Sequence, residues 1–408
     1  MSEVVNIPQL RFPEFETDWE KEKLKNVSTY FNGGSFENDV QVEGRYELVT
    51  LKSINMSGSL VHSKRFIEIE VSTLSKNTLV MILSEQSPGL LGMTALIPID
   101  NKYVLNQRVA EIRPNDNVDS YFLSMSINRN QRYFGKHGAG TKVQNLSKPN
   151  VENYEFLCPT KPEQQKIAAF LTAVDNKIEQ LSKKQALLGE YKKGLMQKIF
   201  SQAIRFKADD GSDFPDWEDG LLNTLIDNSR KIRYGIVQPG KYDKNGKYLI
   251  RGKDYSNGWE IPSEFFKVSD AIEKKYSKTR VKKGDVIVCI VGSVGNVMVI
   301  PGWLDGANIT QTTARIAPDK NKLNNQYLYF YFQSLVGRNM IHKHTRVGTR
   351  PGLNIEDVEK FSILLPSLLE QAKIANFLSS IDNKIEQVGK QLDESKQFKK
   401  ALLQQMFV

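Results

Sequence analysis

One stretch of this chain occurs twice. Glu163-Gln164-Gln165-Lys166-Ile167-Ala168-Ala169-Phe170-Leu171, running on to Asp175-Asn176-Lys177-Ile178, returns as Glu370-Gln371-Ala372-Lys373-Ile374-Ala375-Asn376-Phe377-Leu378, running on to Asp382-Asn383-Lys384-Ile385. The offset is constant at about 207 residues, because 370 − 163 equals 382 − 175. Solenoid repeats have periods of roughly 20–50 residues, so each unit here must hold a whole domain as well as this segment. The domain entrances are duplicated too: Phe12-Pro13-Glu14, then Trp19-Glu20 and Leu24, stands against Phe214-Pro215-Asp216-Trp217-Glu218 and Leu222. Two similar halves suit a target that is itself bipartite.

The repeated segment predicts a long amphipathic helix in each copy. In the first, Ile167, Phe170, Leu171, Val174, Ile178, Leu181 and Leu188 fall mostly three or four apart, with lysines and glutamates on the other face. In the second, Ile374, Phe377, Leu378, Ile381, Ile385, Val388 and Leu392 keep the same seam. Pro162 and Pro366 stand near the two starts, as expected at helix N-termini. A helix of about 38 residues reaches roughly 57 Å, too long for one globular domain to cover. Matching lengths and near-heptad seams predict an antiparallel coiled coil between the copies. Gly189, Gly194 and Gly389 interrupt the pattern and weaken the case for unbroken helices.

The remaining segments read as mixed α and β. Strand-like runs at Tyr46–Thr50, Leu79–Leu83, Tyr248–Ile250 and Asp285–Val288 alternate with Gly, Asn and Ser turns, and helical patterns appear at Tyr121–Arg132 and Gln326–Met340. The chain therefore divides into 1–156 (an arm and a first domain), 157–202 (a central helix), 203–363 (a second domain) and 364–408 (a closing helix). The domains converge again at their ends, with Gly140-Thr141-Lys142 leading to Leu146 and Gly348-Thr349-Arg350 leading to Leu353. Between these anchors they differ widely.

A shared frame with a divergent interior is what reading two sequences with one architecture requires, since base identity is set by a few side chains on loops. Candidate DNA contacts cluster before the helices, at Lys136, His137, Thr141, Lys142, Gln144 and Asn145 in the first domain. Their second-domain counterparts are Lys343, His344, Arg346, Thr349 and Arg350. Gln and Asn bind adenine bidentately, Arg binds guanine, and Lys supplies phosphate charge. Lys52, Lys64, Arg65 and Arg108 are further candidates, with Lys241, Arg251, Lys253, Tyr255 and Arg315 in the second domain.

Charge agrees with such a partner: net +9 and a pI near 9.2. With 408 residues, 40% hydrophobic and 25% charged, the composition is that of a globular protein with room for several cores. The region before Arg11 lacks a basic n-region and an apolar core, so no secretory signal is expected there. The strongest apolar run, Val286–Val291, is too short for a membrane span, and a soluble cytoplasmic protein is expected. The two cysteines, Cys158 and Cys289, sit among apolar neighbours and read as buried, reduced thiols. Gly240–Lys247 has the wrong spacing for a phosphate loop, and Gly292-Ser293-Val294-Gly295 precedes a strand rather than the helix a dinucleotide site needs. No paired-Cys or His-Glu-x-x-His pattern suggests a metal site.

These residues carry a resemblance. The duplicated Pro-x-x-x-Glu-Gln-x-Lys-Ile-Ala-x-Phe-Leu start at Pro159 and Pro366 resembles the specificity subunit of type I restriction-modification enzymes, as do Asp-x-x-Ile at Asp175 and Asp382 and the entrance Trp-Glu-x-x-x-Leu. Lys283-Gly284-Asp285 also resembles a family turn, from which Lys76-Asn77-Thr78 departs. The resemblance implies an α+β protein of two target recognition domains and two long antiparallel coiled-coil helices, a pseudo-twofold reader of bipartite, gapped double-stranded DNA. It implies two methyltransferase subunits that bring S-adenosylmethionine, and two restriction subunits that use ATP and Mg. This chain would carry no cofactor and no catalytic residue, and its helices would set the gap and dock the methyltransferases. The competing readings are a coiled-coil scaffold that binds only protein and a DNA-modifying enzyme with degenerate motifs. An adenine methylase would show Asn/Asp-Pro-Pro-Tyr/Phe, which is absent from the sequence.

Overall fold

The computed structural model describes residues 6–85, 89–256, 258–346, 348 and 351–408. Thr349 and Arg350, two of the candidate DNA contacts, lie outside the described residues. The chain forms two compact units, residues 1–181 with 391–408, and residues 182–390. Among the described residues no helix is long and apolar enough to cross a membrane.

Each unit is built on the same three sheets. In the first, Glu20–Lys23 pairs antiparallel with Glu155–Cys158, so the segment entering the domain lies beside the one leaving it. A four-stranded antiparallel sheet runs in the order Ser28–Asn32, Val109–Pro114, Leu79–Ile82, Thr94–Leu96. A three-stranded sheet runs Phe66–Ile67, Tyr46–Val49, Tyr103–Leu105, the last pair being parallel. The second unit repeats this order with Glu218–Leu221 on Ser362–Leu365, then Arg233–Tyr234, Thr313–Ile316, Val286–Cys289, Val297–Val299, and Phe266–Val268, Lys247–Ile250, Asn308–Ile309. The middle strands Leu79–Ile82 and Val286–Cys289 are apolar throughout and fully buried, which is what a strand covered on both faces requires.

The registers settle an equivalence that the sequence leaves open. Asn77 and Gly284 each precede the middle strand by the same step, and both adopt positive φ, 64° and 88°. Asparagine tolerates the left-handed region better than most residues, so Asn77 makes the turn that Gly284 makes. Another expectation needs correction. Gln326–Met340 is two helices, Asn325–Gln333 and Leu335–His344, separated at Ser334, whose hydroxyl caps the second through the Gly337 N–H at 3.1 Å. A Cβ on Gly337 would stand 2.0 Å from the Tyr331 carbonyl, so only glycine allows this tight junction.

The long helices span Lys161–Phe200 and Leu368–Gln405 without interruption. Gly189 and Gly194 meet nothing within 4 Å, and Gly389 lies against Gln185, so the glycines mark open or closely approached positions rather than breaks. Of the predicted seams, Ile167, Leu171, Leu181, Ile374, Leu378, Ile381, Val388 and Leu392 are buried, while Phe170, Val174, Ile178, Leu188, Phe377 and Ile385 are half-buried. The pairing is antiparallel, because Leu402, Met406 and Phe407 join the first unit's core beside Ile167 and Leu171. In the second unit Met196, Ile199 and Phe200 join the core beside Ile374 and Leu378.

Two duplicated contacts explain which residues the repeat retains. At the head of the first helix the Glu163 carboxylate, 1% exposed, accepts from Arg11 Nε at 2.7 Å and Nη2 at 2.8 Å and from the Trp19 indole at 3.3 Å. At the second, buried Glu370 accepts from Arg205 Nη2 at 2.9 Å and Trp217 Nε1 at 3.0 Å. Phe12 then stacks edge-on against Phe170, and Phe206 against Phe377. The counterpart of Phe12 is thus Phe206, following Arg205, and not Phe214 as the Phe-Pro match suggests. Next to the glutamates, Gln164 accepts from Asp119 N and donates to the Asn117 and Pro159 carbonyls, and Gln371 accepts from Asn324 N and donates to Lys322 and Pro366. The Glu-Gln pair therefore ties each long helix to the entrance segment on one side and to a domain helix on the other.

Farther along, Asp175 pairs with Lys399 at 2.6 Å and Asp382 with Lys192 at 2.6 Å, each pair inside its own unit. Lys192 and Lys399 are themselves 207 residues apart, so the copies exchange the same contact in opposite directions. Tyr121 donates to Asp175, and burial together with that bond holds its phenol well above its ordinary pKa.

Removing one partner of a buried ion pair costs about 3–5 kcal/mol. Glu163→Ala should therefore lower the urea unfolding free energy of the first unit by about 3 kcal/mol, and Glu370→Ala that of the second; a loss below about 1 kcal/mol would show that the clasp anchors nothing. Asp175→Lys should lower the melting temperature by setting two ammonium groups together. Adding Lys399→Asp should recover at least half of that loss, a coupling of about 1 kcal/mol in a double-mutant cycle.

Candidate nucleic-acid interface

Most candidate DNA contacts fall into three places, and three of them prove to be structural. In the first unit Lys52, Arg65 and Arg108 line a single open groove of about 630 Å³, together with Glu37, Thr50, Ser63, Asn106 and Gln107. Lys52 follows the strand Tyr46–Val49, and Arg108 lies in the turn between Tyr103–Leu105 and Val109–Pro114. Lys64 and Arg108 both hold positive φ, 57° and 67°. Such a conformation costs a non-glycine residue on the order of 1–3 kcal/mol. Arg65 is engaged by Glu37, and its guanidinium together with the Asn106 amide holds the Glu37 carboxyl below the usual carboxylate range. Lys52, Lys64 and Arg108 are exposed, and none of their side chains has an ion-pair partner among the described residues.

The second place is not the loop that the sequence suggests. Lys136 and His137 end the helix Gln131–His137, where His137 Nδ1 lies 2.9 Å from the Tyr133 carbonyl and its ring stacks on Tyr133 at 4.1 Å. Gln144 and Asn145 form a short strand against Ser84–Glu85, while Thr141 and Lys142 are exposed between them. Lys136, Thr141 and Lys142 are thus presented to solvent, and His137 is packed.

In the second unit Lys343 and His344 likewise end a helix, Leu335–His344. His344 is held by the Met340 carbonyl at 3.0 Å and by the edge of Phe361. Arg346 is exposed, with Asp357 at 3.8 Å. The same helix borders a groove of about 1070 Å³ lined by Ser256, Ser293, Asn296, Gln333, Arg338, Asn339, His342 and Thr345. Arg338 and His342 are one helical turn apart and both exposed, and neither Arg338 nor Asn339 stands out in the sequence. The helical spacing of 338 and 342 is the signal that would have found them. Lys241 and Lys253 are exposed and lie elsewhere on this unit.

The corrections concern Arg251, Tyr255 and Arg315. Tyr255 is 2% exposed and its hydroxyl meets Thr313 Oγ1 at 3.0 Å, so it is a core residue. Arg315, also 2% exposed, donates to the carbonyls of Lys278, Arg280 and Lys231, and burial pushes its guanidinium down to about 10. It braces three loops and faces no solvent. Arg251 is half-buried and forked onto Asp254 at 2.9 and 3.1 Å. One cysteine expectation changes as well. Cys289 is buried, but Cys158 is only half-buried, and its thiol is pushed up to about 12 by desolvation.

Comparison with known proteins bears on this arrangement. The family model described as the type I restriction modification DNA specificity domain matches twice, over residues 16–188 and 226–395. The type I restriction enzyme EcoBI specificity subunit of Escherichia coli is 27% identical over 311 residues, 72% of this chain and 65% of that protein, so the match spans just under two thirds of its length. The MjaVIII specificity subunit of Methanocaldococcus jannaschii is 24% identical over 97% of this chain and 92% of that protein. Among solved structures, a type I restriction-modification S subunit from M. genitalium shares the fold with a TM-score of 0.64 at 17% identity, covering 98% of this chain and 99% of that one. With two copies of the specificity domain, each carrying its own sheets and part of the long helices, the chain belongs to the family of type I restriction-modification specificity subunits.

Proposed function

We propose that this chain selects the DNA on which a type I restriction-modification complex acts, each unit reading one half of a bipartite, gapped duplex target. The observation that carries the reading is the contrast within the duplication. Strand order, register, clasp and the glutamines beside the clasp are repeated, whereas most exposed polar side chains of the two units are not. In the first unit Lys52, Arg65 and Arg108 line a groove beside the strand Tyr103–Leu105, and in the second Arg338, Asn339 and His342 line one along the helix Leu335–His344, at a different place on the frame. A scaffold that bound only protein would have no need of dissimilar polar surfaces on one repeated frame.

In this reading the basic residues grip phosphates and fix the register of the duplex, while carboxamide and guanidinium groups read base edges. The chain holds no cofactor and performs no bond chemistry. Two methyltransferase subunits supply S-adenosylmethionine and transfer methyl to adenine N6, and two restriction subunits supply ATP- and Mg-dependent translocation and cleavage. Because a base must leave the stack to be modified, the task of this subunit is to hold the duplex while the adenine turns into the methyltransferase pocket. The long helices dock those subunits and set the gap. The complex works in the cytoplasm.

Replacing residues 20–156 with the corresponding domain of a relative should change one half of the methylated sequence and leave the other half intact. Methylome sequencing of cells carrying the hybrid with its methyltransferase reads the outcome directly. A change in both halves at once would refute separate reading modules, and methylation by the purified chain alone would refute the non-catalytic role.

A further inference from the structure

The copies share few residues inside their domains, and burial explains most of those they do share. Asn106-Gln107-Arg108-Val109-Ala110-Glu111-Ile112 aligns with Thr310-Gln311-Thr312-Thr313-Ala314-Arg315-Ile316. Ala110, Ala314, Ile112 and Ile316 are all fully buried at the same sheet positions, so packing accounts for their identity. Gln107 and Gln311 are different: both are exposed, and neither side chain has a hydrogen-bond partner among the described residues.

Two backbone hydrogen bonds flank both glutamines in the same way, although Arg108 holds a positive φ and Thr312 does not. On one side Asn106 N donates to Val49 O and Thr310 N to Ile250 O, both at 3.1 Å. On the other, Leu83 N donates to Arg108 O at 3.0 Å and Ile290 N to Thr312 O at 2.8 Å. The turn is pressed from beneath by Gly33 and Gly235, where a Cβ would stand 1.9 Å and 1.8 Å from the Asn106 and Ile309 carbonyl oxygens. Each glutamine is thus an uncommitted carboxamide on a turn pinned at both ends, and Gln107 opens onto the groove with Lys52, Arg65 and Arg108.

A feature common to two otherwise different readers matches a feature common to their two targets. A carboxamide carries one acceptor and one donor at the spacing of adenine N7 and N6 in the major groove. We infer that Gln107 and Gln311 each read an A·T pair, placed at mirrored positions in the two halves of the target. The inference rests on the proposed reading of two half-sites. On the same alignment Arg108 corresponds to Thr312, and Glu111 to Arg315.

The test uses the full chain assembled with its methyltransferase subunits on the duplex identified by methylome sequencing. The target should hold an A·T pair at mirrored positions in both halves. Replacing the first-half adenine with 7-deazaadenine, which lacks N7, should weaken binding by the wild-type complex about 10-fold, within the range expected for a bidentate base contact. The same replacement should have no further effect on the Gln107→Ala complex, and Gln311→Ala should behave likewise toward the other half. Gln107→Glu, which keeps the shape but loses the donor, should weaken binding to the unmodified target to a similar degree. A target without mirrored A·T pairs, or an equal deaza penalty in wild type and variant, would overturn the inference. Absence of any sequence-specific binding by the wild-type complex would instead overturn the reading of half-sites on which it stands.

Discussion

A carboxylate buried at the head of a long helix is costly unless it is met by charge and hydrogen bonds, and this protein meets it twice in the same way. Glu163 and Glu370 each draw in an arginine and an indole from a segment 144–165 residues away in sequence. That contact fixes where the chain enters each domain. The paired strands Glu20–Lys23 with Glu155–Cys158, and Glu218–Leu221 with Ser362–Leu365, then fix where it leaves. With both ends of a domain held beside one helix terminus, the intervening sheets can vary in surface without shifting on the helix. The neighbouring glutamine adds the second tether, to the helices that begin at Ser120 and Asn325.

The clasp also explains why the repeat is strict at the helices and loose between them. Arg, Trp, Glu and Gln must meet with charge-assisted geometry, which few substitutions preserve. A buried sheet position asks only for an apolar side chain of suitable volume, so Met81 and Val288 serve equally. Exposed positions are under neither constraint, and there, Gln107 and Gln311 apart, the copies diverge.

Much of the frame was legible in the sequence because it rests on periodicity. The long helices, the apolar middle strands and the tandem arrangement follow from spacing alone. The reading sites were less so, for identifiable reasons. Arg315 looks like a surface cation until three carbonyls from separate loops are seen around it. Lys136 and Lys343 occupy helix ends because Phe134 and Ile341 bury the opposite faces, a tertiary fact that a short basic stretch does not announce. Gln107 and Gln311 escape notice because insertions elsewhere shift their offset from 207 to 204 residues, and only the strand registers bring them into line. Phe206 was hidden by a better-looking match at Phe214, which the longer entrance of the second unit displaces.

The division of the helices between the units has a consequence for the order of assembly. The second unit is one continuous stretch, residues 182–390, and its core is complete when that stretch has been synthesised. The first unit is begun earlier but borrows Leu402, Met406 and Phe407, with Phe407 stacked on Phe122 at 5.2 Å and set edge-on to Trp19. Until those residues leave the ribosome, Trp19, Phe122 and the seam at Ile167 and Leu171 lack their cover. The domain made first is therefore the last to close, and its exposed apolar face is the one a nascent-chain chaperone would meet.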